Sequence, residues 1–334
     1  MTERIYARIA GTGSYLPEKV LTNDDLSKIV DTSDEWIAAR TGIRERHVAA
    51  EGETTGDLAY HAAVRAMEAA GVEASELDLI VLGTTTPDLI FPSTACLLQH
   101  RLGANGCPAF DVNAACSGFI YALTVADKFI RSGSARTVLV VGAETLTRML
   151  DWNDRGTCVL FGDGAGAVVL EASDEPGILG IDTGADGSGA GVLAIPAGGA
   201  AMPSTPERVA AGEHYLKMSG GEVFKFAVRI IPETTRRALD LSGLTVEDLT
   251  WLVPHQANQR ILDAVAPRLE IEPDRVFSNV ALLGNTSAGS IPLALHDLYT
   301  DHHLHPGDVL ALVGFGAGLT WGAAVVRWTK GPNE

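Results

Sequence analysis

An internal repeat constrains the fold of this chain more than any other feature. It becomes visible when Gly71 is aligned with Gly243, which corresponds to a numbering offset of 172. Three separated pairs of segments share this offset: 71–81 with 243–253, the residues around Cys116 with those around Ala288, and 138–142 with 310–314. Strand patterns of this kind also recur in unrelated α/β proteins, but three pairs at one offset favour a true duplication.

The apolar runs in the repeat predict strands that are buried on both faces, because they are rich in valine, leucine and isoleucine and are not interrupted by polar residues. These runs are 79–82, 138–141, 251–253 and 309–313. Predicted helices between the runs end near Gly71, Gly133 and Gly243, and one of them begins at Pro232. We therefore predict two α/β halves, 1–172 and 173–334, with a ligand site at their junction.

The two halves differ by an insertion. Near the end of each half the offset falls to 156, where 166–170 meets 322–326. The first half therefore carries roughly 16 additional residues between Glu144 and Phe161.

Composition and charge exclude several classes of function. The 25 basic and 42 acidic residues give a formal net charge of −17, which opposes binding to nucleic acid. No apolar run approaches the ~18 residues of a membrane span, and residues 1–5 lack the basic start of a leader, so we expect a cytoplasmic protein without membrane contact. The four cysteines show neither metal-ligand spacing nor a disulfide pattern.

Cys116 is the candidate nucleophile. It lies in a turn of small residues, 113–118, between a predicted strand end and a helix that reaches about Arg131. The unpaired N–H groups and the positive dipole end of a helix N-terminus lower the pKa of a thiol and favour the thiolate. A cysteine flanked by alanine is also typical of a small buried residue, and that alternative stays open.

His255 and Asn285 are the candidate partners of this nucleophile. His255 directly follows the predicted strand 251–253 and can act as a base or a hydrogen-bond donor. Asn285 lies in a predicted strand-to-helix turn, where its amide can donate to an oxyanion or cap the helix. A structural histidine is the alternative for His255. Together with the glycine-rich segment 314–318, these residues predict nucleophilic catalysis.

These motifs resemble the thiolase superfamily and, within it, the β-ketoacyl-acyl-carrier-protein synthase III family, which starts bacterial fatty-acid synthesis. Further matching segments make the resemblance cover nearly the whole chain: 10–17, Trp36 with 40–43, 161–166, 284–287 and 321–322. The resemblance implies a thiolase-like fold, in which two duplicated α/β halves form α-β-α-β-α layers. It also implies a catalytic triad of Cys116, His255 and Asn285.

The resemblance further implies a set of binding residues. The adenine and pantetheine arm of CoA would contact Thr32, Trp36, Arg40, Arg155, Gly156, Phe224 and Asn258. An acidic carrier protein would dock on Lys225, Arg229, Gln256, Ala257, Asn258, Gln259 and Arg260. Backbone N–H groups of Cys116, Gly316 and Ala317 would hold the oxyanion. Phe91 would reach the acyl pocket of a second subunit, which implies a homodimer.

The implied reaction proceeds in two stages. An acyl-CoA primer acylates Cys116, and malonyl-acyl-carrier protein then loses CO2 to form the carbanion that attacks the acyl group. This scheme requires no metal and no permanently bound cofactor, and acyl-CoA is a substrate. The alternatives are a related condensing or acyl-transferring enzyme of secondary metabolism and a CoA-binding scaffold with an inactive site.

Overall fold

The structure is a computed structural model that describes residues 5–301 and 303–331. Its strands are β1 (Tyr6–Tyr15), β2 (Lys19–Thr22), β3 (Glu45–Val48), β4 (Leu79–Gly83), β5 (Ala109–Val112), β6 (Thr137–Glu144), β7 (Gly164–Ser173), β8 (Ile178–Ala185), β9 (Leu193–Ala194), β10 (Lys217–Met218), β11 (Trp251–Pro254), β12 (Val309–Gly316) and β13 (Thr320–Arg327). Its α-helices are α1 (Asn23–Leu26), α2 (Asp34–Thr41), α3 (Thr55–Ala70), α4 (Thr94–Leu102), α5 (Gly118–Arg131), α6 (Pro206–Ala210), α7 (Gly220–Ser242), α8 (Gln259–Leu269), α9 (Val280–Leu283) and α10 (Ser290–Thr300). Within the described ranges, no helix is both long and apolar enough to cross a membrane.

Two mixed sheets repeat the same topology. The first has the strand order β1-β7-β6-β4-β5 and the second the order β8-β13-β12-β11. In the first sheet, β4 and β6 run parallel and β7 runs antiparallel to β6. In the second sheet, β11 and β12 run parallel and β13 runs antiparallel to β12. The place of the fifth strand in the second sheet is taken by a single bridge between Leu252 and Val276. The predicted duplication is therefore visible in the sheets, and the chain passes from one to the other between Ser173 and Ile178.

Side-chain alternation along the strands builds five layers. On β6, Val138 and Val140 face the central helices α5 and α10, whereas Leu139 and Val141 face the outer helices α3 and α4. The second sheet alternates in the same way, with its outer face covered by α7 and α8. Because each strand is buried on both faces, the strand sequences are continuously apolar. The predicted α-β-α-β-α arrangement is confirmed.

Helix α7 begins earlier than the sequence suggests. The prediction placed its start at Pro232, a residue type that is favoured in a first helical turn and disfavoured inside a helix. The structure instead places Pro232 inside a helix that begins at Gly220. Proline cannot donate to the carbonyl of Val228, and Arg268 Nη1 donates to that carbonyl instead, at 3.4 Å.

Two equivalent turns meet between the sheets. Ala115 has φ of 48° and its counterpart in the repeat, Ser287, has φ of 49°, an uncommon conformation for residues with a side chain. Each turn packs on a strand of the opposite half. A Cβ on Gly142 of β6 would lie 2.1 Å from the carbonyl oxygen of Ala288, and one on Gly314 of β12 would lie 3.3 Å from that of Cys116. Glycine is required at position 142, where a Cβ has no room, whereas the contact at Gly314 is only tight. The two contacts place the Cys116 turn at the junction of the halves.

Candidate active site

A cavity of about 660 Å³ lies at this junction, and Cys116, His255 and Asn285 all contribute to its wall. All three residues are almost fully buried: Cys116 is 6% exposed, His255 is 1% exposed and Asn285 is 6% exposed. The first comes from the N-terminal repeat and the other two from the C-terminal repeat. The structure therefore brings the three predicted catalytic residues to one enclosed space.

Cys116 lies in a short 3₁₀ turn, Ala115–Ser117, immediately before α5. Burial raises the pKa of its thiol to about 12, and the nearby Glu144 carboxylate adds to the rise, while the neighbouring polar side chain of Ser287 opposes it. The expectation of a lowered thiol pKa at this helix start is therefore wrong for the free protein. Helix dipole effects reach only ~2 kcal/mol, and desolvation of a fully enclosed thiolate costs more.

His255 follows β11, and its backbone N–H donates to the Val313 carbonyl at 2.8 Å. Its Nδ1 lies 3.0 Å from the hydroxyl of Ser290. The ring of Phe315 contacts it edge-on, at a centroid distance of 5.2 Å. Burial lowers the pKa of His255 to about 3, so the imidazole is neutral at physiological pH and can act as a hydrogen-bond donor.

Asn285 follows the short helix α9 and not a strand, so the predicted strand-to-helix turn is wrong at this point. Its backbone nevertheless bridges to the insertion, since its N–H donates to Leu160 O at 2.8 Å. The side-chain Oδ1 accepts a hydrogen bond from Ser287 N–H at 2.9 Å. This contact fixes the amide orientation, because the oxygen is occupied and Nδ2 is left as the donor.

Glu144 is a buried carboxylate that the sequence analysis did not single out. Its oxygens accept hydrogen bonds from Thr84, Thr85 and Thr86, and from the Ser287 hydroxyl at 3.1 Å. Burial raises its pKa, and the threonine and serine donors oppose that rise. Glu144 thus ties the turn that orients Asn285 to β4 and β6. Among residues 5–301 and 303–331, no group of three or more His, Cys, Asp or Glu could hold a metal ion.

The outer end of the cavity has an aromatic and cationic wall. The guanidinium carbons of Arg40 and Arg155 lie 4.4 and 4.7 Å from the centre of the Trp36 ring. The same cavity is lined by further predicted CoA contacts: Gly156, Phe224 and Asn258. Thr32 is not part of this wall, and its buried Oγ1 has no hydrogen-bond partner within the described residues.

The cavity wall depends on a buried arginine that the sequence analysis also missed. Arg46 is fully buried, and it donates to the carbonyls of Leu21 and Val159 and to Asn23 Oδ1. Burial lowers its pKa to about 10. Since Val159 belongs to the insertion and lines the cavity, Arg46 holds the insertion against the N-terminal segment.

The predicted docking residues fall into two groups. Lys225 and Arg229 share one face of α7 as predicted, and each pairs with a glutamate, Glu222 or Glu233. Arg260 is exposed and lines the cavity rim together with Asn258, Ala257 and Lys225, and Gln259 is half-buried beside it.

Gln256 does not fit the docking role. It is 1% exposed, its Nε2 donates to Pro254 O and Phe277 O, and its Oε1 accepts from Asn279 N–H. Both ends of its side-chain amide are therefore hydrogen-bonded inside the protein, and the prediction that the Gln256 side chain contacts a carrier protein is wrong.

The remaining predicted residues differ in how close they lie to the nucleophile. A Cβ on Gly316 would be 2.6 Å from Cys116 N, so these two backbone segments are adjacent at the nucleophile. Ala317 is half-buried and outside the cavity wall. Phe91 is 83% exposed and does not line the cavity of its own chain, and its neighbour Ile90 is 89% exposed.

Comparison with known proteins places this geometry in a family. The family model for 3-oxoacyl-[acyl-carrier-protein] synthase III matches residues 110–187, and the model for the C-terminal part of this family matches residues 239–328. The β-ketoacyl-[acyl-carrier-protein] synthase III of Xanthomonas campestris pv. campestris is 60% identical over 98% of this chain and 100% of its own.

Solved structures agree. The 3-oxoacyl-[acyl-carrier-protein] synthase III of Aquifex aeolicus is 49% identical, with a TM-score of 0.89 over 96% of this chain and 100% of the other. The priming β-ketosynthase of the R1128 polyketide biosynthetic pathway is 38% identical, with a TM-score of 0.93 over 99% of this chain and 98% of the other. The chain therefore belongs to the β-ketoacyl-[acyl-carrier-protein] synthase III family.

Proposed function

We propose that this protein is the β-ketoacyl-[acyl-carrier-protein] synthase III that condenses an acyl-CoA primer with malonyl-acyl-carrier protein to start fatty-acid synthesis. The observation that carries the proposal is the single cavity that holds a cysteine, a neutral histidine and an oriented asparagine. In this proposal the half 1–172 supplies the nucleophile, and the half 173–334 supplies the two donors.

In the first stage Cys116 attacks the thioester carbon of acyl-CoA. The thiol proton leaves with the CoA sulfur, so the step is balanced without a permanent base. Backbone N–H groups at Cys116 and Gly316 stabilise the tetrahedral oxyanion, since these two segments are adjacent at the nucleophile. Ala317 lies outside the cavity wall, and its carbonyl accepts a hydrogen bond from Thr320 Oγ1 at 2.9 Å. Because burial raises the pKa of the free thiol to about 12, we expect Cys116 to be protonated before the substrate binds.

In the second stage His255 and Asn285 hold the thioester oxygen of the malonyl group. The C–C bond to the carboxylate breaks, its electron pair forms the enolate, and CO2 leaves. The enolate carbon then attacks the acyl-Cys116 carbonyl, the C–S bond to Cys116 breaks, and the β-ketoacyl product is released. The sulfur leaves as a thiolate and takes up a proton from solvent, which restores the Cys116 thiol. Decarboxylation supplies the carbanion, so the proposed chemistry uses no electron-sink cofactor.

Separate measurement of the two stages tests these roles. In Cys116→Ser we expect loss of acylation by acetyl-CoA, with part of the malonyl decarboxylation retained. In His255→Ala and Asn285→Ala we expect acylation to persist while decarboxylation falls ~10²–10³-fold, the usual cost of losing an oxyanion donor. Mass spectrometry follows acylation, and release of labelled CO2 follows decarboxylation. Acylation retained in Cys116→Ser would contradict the scheme.

We propose that acyl-CoA enters past Trp36, where the Arg155 guanidinium moves away from the indole so that the adenine stacks between the two groups. The phosphates of acyl-CoA then lie near Arg40. The support is that both guanidinium groups already lie against the ring. Gly156, Phe224 and Asn258 line the way to Cys116. The unpartnered hydroxyl of Thr32 is available to a CoA oxygen or nitrogen once side chains near it move.

We propose that the acidic carrier protein docks on Lys225 and Arg260 at the cavity rim and on Arg229, which lies on the same face of α7 as Lys225. Ala257, Asn258 and Gln259 complete this surface. Arg260 has no carboxylate partner within ion-pair distance among the described residues, so it is free to bind one. Arg229→Glu is the discriminating variant, because Arg229 lies outside the cavity wall. We expect a higher KM for malonyl-carrier protein with an unchanged KM for acetyl-CoA. If Arg229→Glu and the wild type had the same KM for malonyl-carrier protein, the assignment of this docking surface would be refuted.

We propose a homodimer in which the exposed apolar residues Leu89, Ile90 and Phe91 contact a second copy. Their exposed fractions of 50%, 89% and 83% are unusual for adjacent apolar side chains. Sedimentation of Phe91→Asp beside wild type tests this: the variant should dissociate more readily. A wild-type monomer at micromolar concentration would contradict the proposal. We also propose that the protein is located in the cytoplasm, where fatty-acid synthesis would supply its substrates.

A secondary-metabolism role is the second candidate, favoured only by the likeness to the R1128 priming ketosynthase at 38% identity. The 60% identity to the Xanthomonas synthase favours fatty-acid synthesis. Turnover with malonyl-carrier protein against small amine or alcohol acceptors separates the two.

A further inference from the structure

The hydroxyl of Ser290 has an unusual set of hydrogen-bond partners. Ser290 is the first residue of α10 and is 1% exposed. Its Oγ accepts a hydrogen bond from the backbone N–H of Gln256 at 2.7 Å and lies 3.0 Å from Nδ1 of His255. Within residues 5–301 and 303–331, no other group hydrogen-bonds this oxygen.

These partners decide where the imidazole carries its proton. A backbone N–H can only donate, so Gln256 occupies one lone pair of the serine oxygen. If His255 carried its proton on Nδ1, two donors would meet the oxygen and the serine hydrogen would be buried without an acceptor, which is costly. If Nδ1 is unprotonated, the serine hydroxyl donates to it and every group is satisfied. Since burial keeps the ring neutral, its single proton is then on Nε2.

We propose that Ser290 is a positioning residue, which holds His255 in the tautomer with its proton on Nε2 so that Nε2 donates to the thioester oxygen of the malonyl group. The role of His255 Nε2 as a donor to the malonyl thioester rests on the proposed function. The hydrogen bond strengthens as negative charge develops on that oxygen, and the proton stays on the imidazole throughout. His255 is then a donor in decarboxylation and not the base that removes the proton of Cys116.

The repeat shows that this serine belongs to the histidine-bearing half alone. The alignment of Gly71 with Gly243 also pairs Gly118, which follows Cys116 in the first half, with Ser290. The same turn thus carries a nucleophile in one half. In the other it carries two supports: Ser287 N–H for Asn285 and the Ser290 hydroxyl for His255. Both donors of the second half are therefore oriented by one short segment, 287–290.

Nitrogen NMR of the wild-type protein tests the tautomer without any substitution at Ser290. The protein is labelled with ¹⁵N only in histidine, and the His255 signals are assigned by their absence in His255→Gln. We expect a pyridine-type Nδ1 and a protonated Nε2 at neutral pH. A protonated Nδ1 in the wild-type protein would overturn the proposal, whatever the enzyme's activity.

Three variants connect the tautomer to the reaction. In Ser290→Ala we expect the His255 signals to move toward the Nδ1-protonated form, and decarboxylation of the malonyl thioester to fall ~10- to 100-fold, as for other orienting partners of histidine. Acylation of Cys116 should stay within about 2-fold. Ser290→Thr keeps the hydroxyl and should restore both the NMR pattern and decarboxylation. Ser242→Ala, which removes a helical serine hydrogen bond to Ala238 outside the cavity wall, is the matched control and should change neither.

The outcomes separate this proposal from the proposed function. Acylation and decarboxylation that fall equally in Ser290→Ala would indicate a general structural role and overturn the positioning role. A wild-type protein that acylates no cysteine would refute the proposed function, while its His255 NMR signals would still decide the tautomer.

Discussion

Replacing Gly316 with alanine would press a methyl group against the turn that carries Cys116. A Cβ at this position lies 2.6 Å from Cys116 N, 3.1 Å from Cys116 Cβ and 3.2 Å from Ala115 Cβ. The backbone of Gly316 is outside the left-handed region, so alanine is not disfavoured by conformation. Gly316 pairs with Thr320 in β12 and β13, which holds the strand in place. We therefore expect the nucleophile turn to move by several tenths of an ångström.

The size of the effect follows from this displacement. Overpacking of this kind costs about 1–3 kcal/mol of stability. A misplacement of about 1 Å at a reacting atom costs on the order of 10²-fold in rate, and the smaller shift expected here corresponds to about 10- to 100-fold. The methyl group also shields Cys116 N–H, one of the two proposed oxyanion donors, which acts in the same direction.

Rapid-quench acylation by acetyl-CoA, read by intact-protein mass spectrometry, measures the rate, and urea unfolding measures the stability. Gly191→Ala is the matched control, because nothing lies within 4 Å of a Cβ at that position. Its acylation rate should equal that of the wild type. Acylation of Gly316→Ala at the wild-type rate would refute the assignment of these segments to the oxyanion site.

Three further predictions address stability, pH dependence and substrate binding. Burial lowers the pKa of His255 to about 3, so the folded protein excludes a proton that the unfolded chain binds below pH ~6.5, and stability should fall as the pH drops through this window. His255→Asn should reduce that slope in urea titrations by up to ~1.4 kcal/mol per pH unit, and an unchanged slope would count against a neutral buried imidazole. Gly142→Ala should lower the free energy of unfolding by ~3 kcal/mol or more, since its Cβ would lie 2.1 Å from a carbonyl oxygen. A wild-type melting temperature would disprove that close approach. Arg40→Ala and Arg155→Ala should each raise KM for acetyl-CoA by about 10-fold while leaving acetyl-pantetheine within about 2-fold, and equal effects on both substrates would exclude contact with the nucleotide.

The layered fold could be predicted because its signals are local and repeated. The four apolar runs became β4, β6, β11 and β12, and the repeat relates four strands of the first sheet to the four strands of the second. Helix ends were also readable, since Gly71 and Gly243 adopt φ of 68° and 69° after their helices. The division at residue 172 stays a prediction.

The missing fifth strand and helix α9 could not be predicted, because they depend on tertiary packing. The repeat aligns β5 with 281–284, yet that segment forms most of α9, and Val276 alone bridges to the second sheet. So short a helix has no periodicity that a sequence pattern can reveal.

Residues that support the site were missed for a different reason. Ser287, Ser290, Glu144 and Arg46 are common polar residues whose roles come from burial and hydrogen bonding. A possible signal was the pair of serines at the two ends of 287–290, at a helix start, but such serines also serve as ordinary helix caps. The prediction of a lowered pKa for the Cys116 thiol failed for a similar reason. Enclosure by the second half raises this pKa by more than the helix dipole, which the sequence does reveal, can lower it.

A single-turnover chase tests the central claim most directly. The enzyme is acetylated with labelled acetyl-CoA, freed of CoA and mixed with malonyl-carrier protein, and the label is followed in the Cys116 peptide and in the product. The account predicts that the label starts on Cys116 and moves into the β-ketoacyl product at the rate of turnover. Product formed while the label stays on Cys116, or a label found on another cysteine, would contradict it.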